Sequence, residues 1–257
     1  MFRTIFNRLN YLFSRNLSSD KEFRKVLSRN LRILQSSLNI SIKNPTFYIT
    51  ALTHSSFLDL HPELPESNER LEYLGDSVLS MVTGNYLFAK YPNEEEGFLT
   101  KSRSLLVNRE RLAVAAEGIG LQNIILYNQK YLRDSLEGMQ TILSDALEAV
   151  IGAIYLDQGL KVVEKVIVNC LIKPLEYDDS FLTDTNYKGQ LLELAHYRKL
   201  SPPRYLIKEE DGPPHNKKFT IEVFVGEDLM GVGMGKNKKS AEQEASRLAL
   251  EKFNARN

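Results

Sequence analysis

The run Asn68-Glu69-Arg70-Leu71-Glu72-Tyr73-Leu74-Gly75-Asp76-Ser77-Val78-Leu79 decides how the larger part of this chain folds. At about 100° per residue on a helix, Glu69 and Asp76 fall within about 20° of each other and Glu72 about 60° away. Leu71, Leu74, Val78 and Val82 take the opposite side, so the segment is amphipathic with an acidic stripe. Such a stripe is ordinarily a solvated face. Here Glu72 and Asp76 are like charges one turn apart, and no Lys or Arg one turn away offsets them. The helix then runs on through Ser80, Met81, Val82, Thr83, Gly84, Asn85, Tyr86, Leu87 and Phe88, too apolar and small-residued to lie open in water. The stripe calls for a cation.

A second run supplies the other half of the reading. Met139 to Leu156 is apolar on nearly every side, as a helix in the middle of a core is, and only Asp145 and Glu148 interrupt it with charge. Their i, i+3 spacing puts both on one face. A buried carboxylate is very costly unless it is paired or holds a metal. Two helices that offer clustered oxygen ligands, without His or Cys pairs, suit a hard divalent cation, Mg²⁺ or Mn²⁺, rather than Zn²⁺.

These two runs resemble the signature of the ribonuclease III family, endonucleases of double-stranded RNA. Leu52-Thr53-His54-Ser55-Ser56 precedes the first run as that resemblance requires, and Asp145-Ala146-Leu147-Glu148-Ala149-Val150-Ile151-Gly152-Ala153-Ile154-Tyr155-Leu156-Asp157 follows. Carried over by position, Glu72, Asp76, Asp145 and Glu148 are the implied metal ligands, with Asp76 and Glu148 central to catalysis. Glu69 and Glu96 match two further cleft acids. Tyr73 and Ser77 stand where Phe and Ala are more usual, and the position of Tyr73 packs across a dimer interface in relatives. The resemblance implies a homodimer in which each site cuts one strand.

The chain has 257 residues, enough for one good core and a smaller second domain. Its formal charge is zero, but residues 1–50 carry 9 basic and 2 acidic side chains, residues 51–185 carry 11 and 21, and residues 186–257 carry 13 and 10. An acidic centre between basic ends suits a metal-dependent catalytic domain whose polyanionic partner is held by other surfaces. The lone Cys170 cannot form an intrachain disulfide and reads as a packed thiol in a reducing, cytoplasmic compartment. No uninterrupted stretch is expected to reach the length of a membrane span, and no small-molecule cofactor is called for. Residues 1–19 hold Arg3, Arg8 and Arg15 among Phe2, Ile5, Phe6, Leu9, Leu12 and Phe13. An amphipathic helix or a frayed extension is preferred there over an organelle presequence.

Helices are expected over Asp20–Leu38, Pro45–Leu52, Leu99–Glu117 and Leu160–Ile172, with Pro174 ending the last. His54 reads as a hydrogen-bonded structural residue, and the cations Lys101, Arg103, Arg109 and Arg111 as a solvated face, with contact of some of them to phosphates as the alternative. The expected layout is an N-terminal extension (1–19), an all-α catalytic domain (20–174), an acidic linker (175–185) and an α+β domain (186–254) of order α-β-β-β-α. Phe219, Ile221, Val223 and Val225 alternate with polar residues in its clearest strand, and Asn237 caps its closing helix.

Lys238 and Lys239 open that helix against its macrodipole, so an anion is expected there. The order resembles a double-stranded RNA-binding domain. The resemblance implies that Lys236, Lys238 and Lys239 straddle major-groove phosphates, that His215 enters a minor groove, and that Glu193 contacts RNA. It also places Gly189 and Leu192 where Thr and Gln contacts are usual.

The chemistry expected of the whole is metal-assisted hydrolysis by water, leaving 5′-phosphate and 3′-hydroxyl ends on ribosomal RNA precursors and other structured transcripts. The alternatives are a silent RNA-binding scaffold, disfavoured because the six cleft acids are present, and a hydrolase of a small phosphorylated metabolite, disfavoured by the second domain.

Overall fold

A computed structural model describes residues 21–62, 64–131, 136–177, 184–212 and 217–254. The N-terminal extension, His215 with its loop and residues 178–183 of the expected linker lie outside the described residues. The chain divides into two compact units after Thr183.

The first unit is helical. Helix α1 (Lys21–Leu38) buries Leu27, Leu34 and Leu38 and ends on Asn39, whose φ of 51° leaves the helical region. Helix α2 (Pro45–Ala51) starts where the Asn44 side chain accepts the Thr46 N–H, with Pro45 in the first turn. Asp157 fixes that start from a distance in sequence, because its carboxylate accepts the N–H groups of Lys43 and Asn44 at 2.9 Å each and the Tyr48 hydroxyl at 3.0 Å. Burial, the largest cause, holds the Tyr48 phenol above its ordinary pKa. After the short α3 (Ser55–Leu58), the quoted run forms α4 (Glu69–Lys90).

Helices α5 (Glu96–Leu106) and α6 (Arg109–Gly118) replace the single helix expected over Leu99–Glu117. Asn108 divides them: its Oδ1 accepts the Arg111 N–H at 2.9 Å, capping α6, while its Nδ2 donates to the Leu105 carbonyl at 2.9 Å. Helix α7 (Leu136–Gln158) is the core helix, with Leu143, Ala146, Val150 and Ile154 fully buried. At 23 residues it is long and apolar enough to cross a membrane by length and composition, which corrects the expectation that no stretch is; 61% of its most apolar window lies inside the unit. Helix α8 (Leu160–Ile167) passes into a π-helical turn, Val168–Ile172, and then into α9 (Lys173–Tyr177). Pro174 therefore does not end the helical path. It stands just beyond the π-helical turn, within a continuous helical path, and the expected linker loses its first three residues to helix.

Helices α4 and α7 cross at two glycines. A Cβ on Gly75 would lie 1.7 Å from the Glu148 carbonyl oxygen, and one on Gly152 would lie 2.4 Å from the Leu71 carbonyl oxygen. Backbone meets backbone, which brings the acid-bearing turns of both helices side by side. Leu71, Val78 and Val82 of α4 enter the core as expected, whereas Met81 and Phe88, expected to be covered, are 50% and 71% exposed beside Tyr73 at 79%.

The second unit has the order α10 (Tyr187–Tyr197), β1 (Arg204–Asp211), β2 (Lys218–Val225), β3 (Asp228–Gly235) and α11 (Lys238–Asn254). The sheet is antiparallel in the order β1-β2-β3, with a bulge between Ile207 and Glu209. Ile221, Val223 and Val225 alternate inward; Val223 and Val225 share a core with Leu191, Ala195, Ala245, Ala249 and Phe253. Gly233 lets α11 sit on β3, since a Cβ there would come within 2.1 Å of the Ala245 nitrogen.

Candidate active site and nucleic-acid interface

Glu72 lies on α4, and Asp145 and Glu148 lie on α7, facing each other because the glycine crossing leaves no side-chain layer between the helices. One carboxylate oxygen from each of the three comes within 4.8 Å of the others. All three are partly buried. Glu148 is pushed up to about 8, first by burial and then by the charges of Asp76, Asp145 and Glu72, with Arg109 opposing. Glu72 is raised by burial and by Asp145, Glu69 and Asp76. Asp145 is raised by burial, against the Ser144 hydroxyl, Arg109 and His54. Asp76 and Glu69 thus act on the cluster electrostatically, although both are exposed and neither belongs to the tight trio. Three crowded carboxylates that resist joint ionisation, with no Cys or His among them, form a donor set that fits a hard cation.

Glu96 is elsewhere. Its Oε1 accepts the Thr100 hydroxyl at 2.7 Å, and it lines a cavity of about 300 Å³ with Gly84, Phe88 and Arg103. Gly84 and Phe88 stand eight and twelve residues beyond Asp76 on α4, roughly 12 and 18 Å along the axis. Within one chain Glu96 does not join the cluster.

Two neighbours of the cluster were not expected among the site residues. His54 caps α3 as its Nδ1 accepts the Ser56 N–H at 3.1 Å, the structural part expected of it. Its segment is drawn to the start of α4 by the Asn68 N–H, which donates to the Thr53 carbonyl at 2.8 Å, and its ring feels the charges of Asp145 and Glu69. Burial is the larger influence and lowers the imidazole pKa. Arg109 opens α6 and lowers the cost of ionising Asp145 and Glu148, so it is not merely a cation on a solvated face.

In the second unit Asn237 caps α11 through its Oδ1, which accepts the Ser240 N–H at 2.8 Å. Lys236, Lys238 and Lys239 are exposed around that helix start. Glu210 of β1 bridges Lys238 at 3.4 Å and Lys217 at 3.2 Å, and the Lys238 ammonium lies 5.7 Å from the centre of the Phe219 ring. Glu193 is exposed on α10. The start of α11 and these lysines thus share one exposed surface.

Comparison with known proteins agrees with this division. Residues 44–175 match the family described as Ribonuclease-III-like, and residues 187–253 match the double-stranded RNA binding motif. Ribonuclease 3 of Chlorobaculum tepidum is 39% identical over 213 residues, which cover 82% of this chain and 78% of that protein. Ribonuclease 3 of Geobacillus kaustophilus is 37% identical over 226 residues, 86% of this chain and 90% of that one. Among solved structures, the nuclease domain of ribonuclease III from Campylobacter jejuni matches at 39% identity with a TM-score of 0.51, covering 56% of this chain and 95% of that domain. A second structure of that domain, with a TM-score of 0.50, 39% identity, 55% of this chain and 95% of that one covered, is described as flexible in a region involved in dimer formation. With the helical unit, the three-stranded unit and the acid cluster in place, this chain belongs to the ribonuclease III family of double-stranded RNA endoribonucleases.

Proposed function

We propose that the chain hydrolyses duplex RNA at the α4/α7 cluster, with Glu72, Asp76, Asp145 and Glu148 holding divalent cations, Mg²⁺ or Mn²⁺ in its place. The observation that carries this reading is the meeting of three partly buried carboxylates, with one oxygen of each within 4.8 Å of the others, where α4 and α7 cross. When bound, such ions supply Lewis-acid polarisation of the phosphodiester and activation of water. The chain's own residues do the rest. Asp145 and Glu148 present oxygens from a helix that packing holds rigid, Glu72 and Asp76 answer them from the facing turn, and Arg109 offsets part of their mutual repulsion. The water oxygen bonds to phosphorus as the P–O3′ bond breaks, and the departing O3′ takes a proton. Products then carry 5′-phosphate and 3′-hydroxyl ends. End mapping after cleavage of a long duplex tests this: 2′,3′-cyclic phosphates would point instead to attack by the ribose hydroxyl.

Residues 20–174 are assigned to cleavage and 186–254 to duplex binding, in a reducing cytoplasm that suits the free Cys170. Ribosomal RNA precursors and structured messengers are the substrates that this duplex chemistry fits. Lys236, Lys238 and Lys239 bind phosphates, with His215 and Glu193 reaching a groove. The double change Lys238→Ala and Lys239→Ala should weaken binding to any duplex sequence and flatten the log Kd against log salt slope by roughly 1 to 2, since phosphate contacts carry affinity without base information. Titrations at four salt concentrations check it, and an unchanged slope removes the lysines from the interface.

The exposed Tyr73, Met81 and Phe88 on one side of α4 suit burial against a second copy. Glu96 reaches a cleft in that case only as a residue of the other copy. Tyr73→Ala should shift the protein towards monomer in sedimentation. A wild-type chain that sediments as a monomer at micromolar concentration would remove the dimer.

A further inference from the structure

We propose that Glu210 is an internal competitor for RNA phosphate: its carboxylate holds Lys217 and Lys238 in the free protein, and a duplex binds these lysines by displacing it. The inference rests on the duplex-binding role proposed for this unit and for Lys238.

The bulge in β1 decides which acid takes this place. Tyr205 and Ile207 pair with Val223 and Ile221 on the helix side of the sheet, so strict alternation would turn Glu209 to that side and Glu210 away. The extra residue, Lys208, shifts the register, setting Glu209 opposite Thr220 and Glu210 opposite Phe219. Phe219 in turn stands opposite Gly235, where a Cβ would come within 2.2 Å of the Ser240 hydroxyl oxygen and 2.5 Å of the Ala241 nitrogen. Glu210, Phe219 and Gly235 therefore form one row across the sheet, under the start of α11. Lys238 reaches back along that row. Its ammonium lies 5.7 Å from the centre of the Phe219 ring and 3.4 Å from one Glu210 oxygen, while Lys217, just before β2, meets the other oxygen at 3.2 Å. Lys217 first, and Lys238 with it, hold the Glu210 carboxyl below its ordinary pKa.

Carboxylate and phosphodiester are alike in what they offer these lysines. Each presents two oxygens that share one charge, so each can answer two ammonium groups at once. The Glu210 carboxylate thus marks a place where a phosphate fits, and it makes Lys217 a partner of Lys238 there. The three side chains reach water, with 34% of Glu210, 45% of Lys217 and 56% of Lys238 exposed, so exchange requires no opening of the fold. Exposed ion pairs are individually weak, and the carboxylate therefore moderates duplex binding rather than preventing it.

The test uses the full chain, an RNA duplex and a chelator, so that binding is read without cleavage. Glu210→Gln keeps the shape of the side chain and removes its charge. It should bind about twofold to fivefold more tightly at low salt, with a log Kd against log salt slope steeper by up to about 1. Glu209→Gln removes the same charge one residue away, on the opposite face of the sheet, and should match wild type. In a Lys217→Ala, Lys238→Ala background the gain from Glu210→Gln should disappear, the non-additivity expected of groups in contact. A gain that Glu209→Gln shares equally, or that survives loss of both lysines, is a general effect of charge and overturns the inference. So does a Glu210→Gln protein that binds no tighter than wild type. In each of those cases Lys238→Ala by itself still weakens duplex binding. If Lys238→Ala binds as wild type does, the phosphate-binding role of Lys238 fails and the inference falls with it.

Discussion

Glu148→Gln should give a folded, duplex-binding protein that cuts a long RNA duplex in Mg²⁺ about 10²-fold more slowly or worse, because the change keeps size and one oxygen but deletes the charge a hard cation needs. Its metal-free stability should move the other way. Glu148 is raised from its ordinary 4.5 to about 8 by burial and by Asp76, Asp145 and Glu72. A carboxyl whose folded pKa lies above its unfolded one favours the fold fully below the unfolded value, and that advantage is lost as pH rises through about 8. Gln has no charge to lose. Thermal scans in a chelator should therefore find the variant equal to wild type at pH 5 and more stable at pH 9, by on the order of 1–3 kcal/mol after allowing for the part of the group that water screens. Near wild-type cleavage in limiting Mg²⁺ would show that Glu148 holds no metal. Wild-type protein that binds duplex but cuts it in neither Mg²⁺ nor Mn²⁺ would make the chain a scaffold.

Gly75→Ala should be the most damaging single methyl group in the catalytic unit. The added carbon would sit 1.7 Å from the Glu148 carbonyl oxygen and 2.5 Å from its carbonyl carbon, and both are helix backbone that cannot rotate away. Helices α4 and α7 must part, at a cost of about 3 kcal/mol or more, or a fall in melting temperature of roughly 6–12 °C. Parting also pulls Glu72 and Asp76 from Asp145 and Glu148, so cleavage should fall even where the protein is still folded. Gly118→Ala is the control, since nothing lies within 4 Å of a Cβ there. A Gly75→Ala protein as stable as that control would mean the helices do not touch at this point.

The acids were legible in the linear chain because charge inside an apolar helix is costly, and i, i+3 and i, i+4 spacing is enough to assign a shared face. The α-β-β-β-α order was legible for the same kind of reason, from the alternation in β2 and the Asn237 cap. What escaped is what depends on a partner surface. Gly75 and Gly152 look like mere losses of helix propensity until the two helices are crossed. Their one available signal is a small residue set one turn from an acid on each helix. Arg109 was left on a solvated face because Leu99–Glu117 reads as one continuous helix; once Asn108 breaks it, Arg109 falls in a new first turn near Asp145 and Glu148. The exposure of Met81 and Phe88 was missed because apolar periodicity cannot tell a core face from one awaiting a partner, and Tyr73 was set apart only by the family resemblance.

The apolar core helix α7 has a consequence before the protein is folded. While it is being synthesised, Leu136–Gln158 is a 23-residue stretch that insertion machinery would test as a spanning segment. Asp145 and Glu148 flank its midpoint, the depth at which an acid most opposes transfer into lipid, and together they set a barrier of about 5 kcal/mol. The two residues proposed to hold cations in the finished enzyme thus also raise the cost of moving the nascent helix into a bilayer. Variants that neutralise both acids at once carry a risk of misrouting during synthesis that an assay on purified protein does not register.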